Sequence, residues 1–217
     1  MRNIQVTVGP LAAASANNIA LSQTPAAGNL TLNGSTVAGG VAVLDKPRRV
    51  LLTVTANESG NTFTIFGTNW SGALISETIV GPSAAGTAQS VLDYATVTRI
   101  SISSNAVGAL TVGTNGVASS PWVALDHWAL AQVAIQCNAN GAVNYTVQST
   151  LDNPNGSLTG VTPASVVWIN SSDTGAVGAS SSIQTNFAYT PTFARILLNS
   201  GTGSVTAYFA QSGSVIP

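Results

Sequence analysis

The sequence predicts an all-β protein: two tandem, related β-sandwich domains of jelly-roll or Ig-like type with an N-terminal extension. Three observations predict it. Apolar and polar residues alternate in short runs rich in β-branched and aromatic side chains. Turn signals built on Asn, Gly, Pro and Ser recur about every ten residues, the spacing of a sandwich. A pattern in the first half of the chain is also echoed in the second.

Ile4-Gln5-Val6-Thr7-Val8 alternates as a strand instead of forming the apolar stretch of a signal peptide. Residues 1–46 are expected to supply extra strands or an assembly arm that orders against a neighbour. The stretches 12–16, 26–28 and 37–43 are small and nearly charge-free, easy to lay along another surface. A first sandwich is expected over 47–118. There Val50, Leu52 and Val54 alternate with Leu51, Thr53 and Thr55, and similar runs occupy 62–66 and 98–103. A second is expected over 119–217, with strands at 133–137, 144–148 and 204–209. Segment 126–134 reads equally as a short helix or the start of a strand. Turns are expected at 57–60, 69–72, 81–82, 105–108, 138–141, 153–156 and 200–203.

The echo is specific. Val50-Leu-Leu-Thr-Val, a turn, and Phe63-Thr-Ile-x-x-Thr68 match Val133-Ala-Ile-Gln-Cys, a turn, and Tyr145-Thr-Val-x-x-Thr150. Arg99-Ile100, a turn and Leu110-Thr111 match Arg195-Ile196, a turn and Val205-Thr206. The later pair is offset further than the earlier one, which assigns extra residues to the Ser/Thr/Gly/Asn-dense segment 153–186 of the second copy.

Composition narrows the function. Only 6% of the 217 residues are charged, against about 25% in an ordinary soluble domain. Six Lys/Arg, seven Asp/Glu, one His and one Cys leave little for acid–base or metal chemistry. The 45% hydrophobic content is enough for a real core. A net charge of -1 gives no basic footprint for nucleic acid and no polybasic patch for a membrane. It also gives weak electrostatic protection against association, so a homo-oligomer is expected.

No catalytic, cofactor or metal residues are assigned. Asp126-His127-Trp128 holds the one imidazole, but no Gly-x-Ser-x-Gly elbow accompanies it. Glu58, Glu77 and Asp93 fall near turns or strand ends, where acids bond backbone or water. One His and one Cys are too few for zinc, and Asp152-Asn-Pro-Asn-Gly156 lacks the alternating acids of a calcium loop. Cys137 shares a strand face with Val133 and Ile135 and reads as a buried small hydrophobe. The candidates are interface residues: Ile4, Val6 and Val8 on an edge strand, and Trp70, Trp122 and Trp128, which with Trp168 read as packing or sugar-stacking aromatics. Arg48 and Arg49 could grip an acidic neighbour, and a solvated strand start accounts for them equally well.

The chain also resembles a group of small tailed-bacteriophage virion proteins. Leu21-Ser-Gln-Thr-Pro25, Gly28-Asn-Leu-Thr-Leu-Asn-Gly34 and Leu44-Asp-Lys-Pro-Arg-Arg-Val50 carry the opening of the resemblance. Asn57-Glu-Ser-Gly60, Glu77-Thr-Ile-Val-Gly-Pro82, Tyr145-Thr-Val-Gln148, Trp168 and Gly203-Ser-Val-Thr206 continue it over nearly the whole length. The resemblance implies a non-enzymatic virion subunit without cofactors, assembled in the host bacterial cytoplasm. Its partners would be phage capsid or head–tail proteins and further copies of itself, as a trimer or ring. Capsid decoration (a cement protein) is the leading expectation. The alternatives are a head–tail collar, tail or fibre-attachment protein, or a receptor- or glycan-binding module.

Overall fold

The computed structural model describes residues 2–126, 132–156 and 160–211. The protein is all-β. The first strands are β1 (Arg2–Val8), β2 (Ser15–Gln23), β3 (Gly28–Asn29), β4 (Val37–Ala38), β5 (Val41–Val54), β6 (Thr62–Thr68), β7 (Leu74–Val80), β8 (Gly86–Gln89), β9 (Tyr94–Ile102) and β10 (Leu110–Ser119). Then come β11 (Val123–Ala124), β12 (Val133–Asn140), β13 (Val143–Thr150), β14 (Ile169–Asn170), β15 (Ile183–Phe187), β16 (Phe193–Gly201) and β17 (Ser204–Gln211). A single 3-10 turn at Thr174–Ala176 is the one helical feature among the described residues.

The chain divides into two compact units, one of residues 12–116, the other of residues 1–11 and 117–217. In the first, neighbouring strands run β2-β10-β5-β8 and β3-β9-β6-β7. In the second they run β1-β17-β12-β15 and β11-β16-β13-β14. Taken in chain order within each unit, and apart from the two-residue β4 that pairs with β5, these are the same arrangement. Eight antiparallel strands form two four-stranded orders, as in a jelly roll, with β5 of the first unit also pairing β9 and so joining its two orders. The repeated strands occupy matching places, β5–β6 with β12–β13 and β9–β10 with β16–β17.

Period-two patterning builds both cores. Along β6, Phe63 and Ile65 are buried while Thr62, Thr64 and Phe66 are not. Along β17, Val205, Ala207 and Phe209 are fully buried and alternate with Thr206, Tyr208 and Ala210. The second unit closes over Tyr145, Val147, Ile196, Leu198 and Cys137. Burial pushes the Cys137 thiol up to about 11, against a lowering hydrogen bond from Tyr145. Asn69 accepts the Ser71 and Ala73 N–H groups and so closes the β6–β7 hairpin. Gly72 in that turn has φ +82, a conformation that disfavours a Cβ.

Residues 1–46 do not stand apart as an arm. Strand β1 pairs along its whole length with β17, from Arg2 opposite Gln211 to Val8 opposite Val205, while residues 12–46 fold with the first unit. The alternation of Ile4, Val6 and Val8 explains why: an apolar face of that period is satisfied by a core. The first unit also begins upstream of the expected residue 47. Strand β5 runs through Pro47, and its pairing with β9 shifts register between Val43 and Arg48. A proline has no N–H to offer a ladder, and the register shift is where none is required. Beyond it, residues 51–54 pair with β8.

Candidate functional site

Glu58, Glu77, Asp152 and Asp173, four of the seven acids, hold loops through backbone N–H groups. Glu58, buried in the first unit, accepts the Val107 and Gly108 N–H groups on one oxygen at 2.7 and 2.9 Å and the Asn61 amide on the other at 2.6 Å. Glu77 takes the Val91 and Leu92 N–H groups, and Asp152 takes Val167 N–H at 2.7 Å. Asp173 accepts Gly175 N–H across the 3-10 turn. Carboxylates with backbone donors are strongly oriented and poorly placed to turn over a substrate.

Arg48 is not presented to a neighbour. Its side chain is 1% exposed, and its guanidinium donates to the carbonyls of Ala12 and Asn115 and to Asp45. Those carbonyls lie where the chain enters and leaves the first unit, so Arg48 fastens its two ends. Burial works against ionisation of Asp45, but the Ala12 N–H and the Arg48 guanidinium outweigh it and hold the carboxyl below its ordinary range. Arg49 turns to the buried Asp93, with Nε 3.7 Å from Oδ1, an ion-pair distance. Ile4, Val6 and Val8 face the core of their own unit.

The tryptophans divide. Trp70 is 37% exposed beside the β6–β7 turn. Trp122 packs edge-on against Trp168 at 5.2 Å and against Phe193 at 5.8 Å, so it serves as packing and not as an open platform. Trp128 and His127 lie outside the described residues, as does most of segment 126–134.

The structure brings together four residues that the sequence reading passed over. Leu151, Val167, Ile169 and Tyr189 are 70%, 62%, 59% and 47% exposed and line one shallow hollow of about 230 Å³ with Ser149, Thr150 and Asp152. The β13–β14 pairing sets Ile169 opposite Ser149, and the Tyr189 and Ser149 hydroxyls meet at 3.3 Å. Alternation turns Val167 and Ile169 outward and Trp168 inward, where the Arg195 guanidinium sits 4.3 Å above its ring. Arg195 Nε donates to the Gln148 side-chain oxygen Oε1 at 2.9 Å, and the Gln148 side-chain amide donates to Asn170 Oδ1 at 2.8 Å. A fixed polar network thus underlies an apolar surface. Val166-Val-Trp-Ile169, an apolar run inside a segment otherwise dense in Ser, Thr, Gly and Asn, was the signal that could have found it.

Compared with known proteins, the chain matches no family model and no curated sequence.

Proposed function

We propose that this chain is a non-enzymatic structural subunit of a phage particle, acting as a decoration protein that joins capsid subunits. The observation that carries the reading is the cluster of Leu151, Val167, Ile169 and Tyr189. Four large apolar side chains exposed together in a unit with a complete core mark a contact surface. The chain's low charge supports the same reading, since packing against a neighbour then desolvates few ions. The loop-holding acids support a scaffold without catalysis.

Copy number in purified particles tests the location. Decoration requires on the order of hundreds of copies, whereas a collar or fibre site requires about a dozen, because symmetry fixes both. Absence from particles overturns the proposal. In a reconstitution with undecorated particles, Ile169→Asp should abolish binding and leave the melting temperature of the free protein within about 2 °C. Undiminished binding removes the cluster from the contact.

A further inference from the structure

We infer that the outer face of the β1-β17-β12-β15 sheet is a binding site for a neutral oligosaccharide, with Tyr208 as its stacking surface. Register places its residues in rows. Gln5 lies opposite Tyr208, Tyr208 opposite Gln136, and Gln136 opposite Gln184, so one aromatic ring stands among three amides. In the adjacent row Asn3 and Asn186 flank Ala210 and Ala134, which lie opposite each other. Two methyl groups in the middle of a row of long side chains leave a hollow. Its volume is about 550 Å³, and Asn3, Gln136, Asn138, Gln184 and Tyr208 line it. That is within the usual size of small-ligand sites, about 300–1,000 Å³.

The chemistry of the face selects the ligand. A pyranose ring has an apolar face of C–H groups and an equator of hydroxyls. An aromatic side chain covers the first. An amide satisfies the second, because it donates and accepts together and can meet two neighbouring hydroxyls. Among the described residues no Lys, Arg, Asp or Glu lines the hollow, so none of them compensates a phosphate, a nucleic acid or a uronic acid. The apolar floor is two alanines and the edge of the buried Ile135, too small a surface for a lipid or an apolar peptide.

The site is also preformed. All its polar groups stand on paired strands, and the Gln136 amide donates to Asn138 at 2.8 Å, which fixes both. Among the described residues, the Tyr208 hydroxyl and the Asn3 and Gln184 amides have no protein hydrogen-bond partner, so their capacity is open to a ligand. This face is distinct from the apolar cluster at Ile169 and requires none of its residues.

The test is titration calorimetry of the full chain with neutral hexasaccharides (α-1,4-glucan, β-1,4-glucan and β-1,4-linked N-acetylglucosamine), a printed array of neutral glycans, and a galacturonate hexasaccharide as the anionic control. A neutral glycan should bind with Kd between about 10 µM and about 1 mM, with little change at high salt. Tyr208→Ala should weaken it at least about tenfold and Gln184→Ala several-fold. Tyr208→Phe should retain most of the affinity, and Trp70→Ala in the other unit should retain all of it. Unchanged melting shows that the variants fold. Three results overturn the inference: no neutral glycan retained, binding indifferent to Tyr208→Ala, or preference for the anionic sugar. Loss of particle binding in Tyr208→Ala, with no sugar bound by the parent chain, reassigns the face to protein docking.

Discussion

Arg48 shows how much one charged residue can hold in a chain that has so few. Its guanidinium donates to Ala12, Asn115 and Asp45 from a site that is 1% exposed. Arg48→Ala leaves two carbonyls and a carboxylate without their donor, a change of about 3 kcal/mol or more. Urea unfolding should show that loss, with Arg48→Lys recovering only part of it because one ammonium cannot span the fork. The sequence made the Arg pair conspicuous but left its direction open, since facing inward or outward depends on where residues 12 and 115 end up. Buried neutral acids give a second prediction. The Cys137 thiol is raised to about 11, and burial raises the Tyr94 and Tyr145 phenols as well. The fold favours their neutral forms more than the unfolded chain does. The Cys137 contribution is therefore complete below about pH 9 and is lost as pH climbs through about 11, while that of the two phenols is lost at still higher pH. Stability measured by urea unfolding should be level near neutrality and fall above about pH 9, less steeply in Cys137→Val.

Strand β1 carries the main lesson at the level of elements. Its alternation was legible in the sequence, and so were two Asn/Gly turns, the one that closes the β6–β7 hairpin and the one that passes the chain from β12 in one strand order to β13 in the other. Its partner was not, because strand pairing depends on register with a segment nearly the whole chain away: Ile4 opposite Phe209. The same limit applies to β5, where Pro47 looks like a boundary until the shift of register around it shows that no ladder bond is lost. The exposed cluster at Ile169 was hidden for a related reason, since β14 is only two residues long and its neighbours Leu151 and Tyr189 come from other loops. Strand β1 also yields a prediction. Removing residues 1–8 takes Ile4, Val6 and Val8 from the second unit's core and bares the edge of β17. Val8 is fully buried and Ile4 and Val6 partly so. At about 1.5–3 kcal/mol for a full burial and a fraction of that for the others, together with the β1–β17 ladder, the loss is a large share of an ordinary domain's stability. Calorimetry of the truncated chain should show the second unit's transition at a much lower temperature or absent, with the first unit's transition retained. A normal melt would mean that β1 adds nothing to the core it lies on.

For the whole molecule, the small number of ions governs how it can associate. With six basic and seven acidic residues in 217, long-range attraction to any partner is weak. Several of the acids are already taken up by backbone donors within the fold. What the surface offers instead is amides, hydroxyls and the exposed apolar cluster of the second unit. Contacts of that kind respond to salt in the opposite sense from ion pairs. Chloride salts screen charges within a Debye length of about 10 Å at 0.1 M and leave apolar contacts almost untouched. Sulfate is excluded from protein surface and strengthens burial. For the proposed role, affinity for phage particles, measured by sedimentation, should therefore change less than about threefold between 0.05 M and 1 M sodium chloride and should rise in ammonium sulfate of equal ionic strength. A steep fall with sodium chloride would assign the contact to the few remaining charges and remove the apolar cluster from its centre.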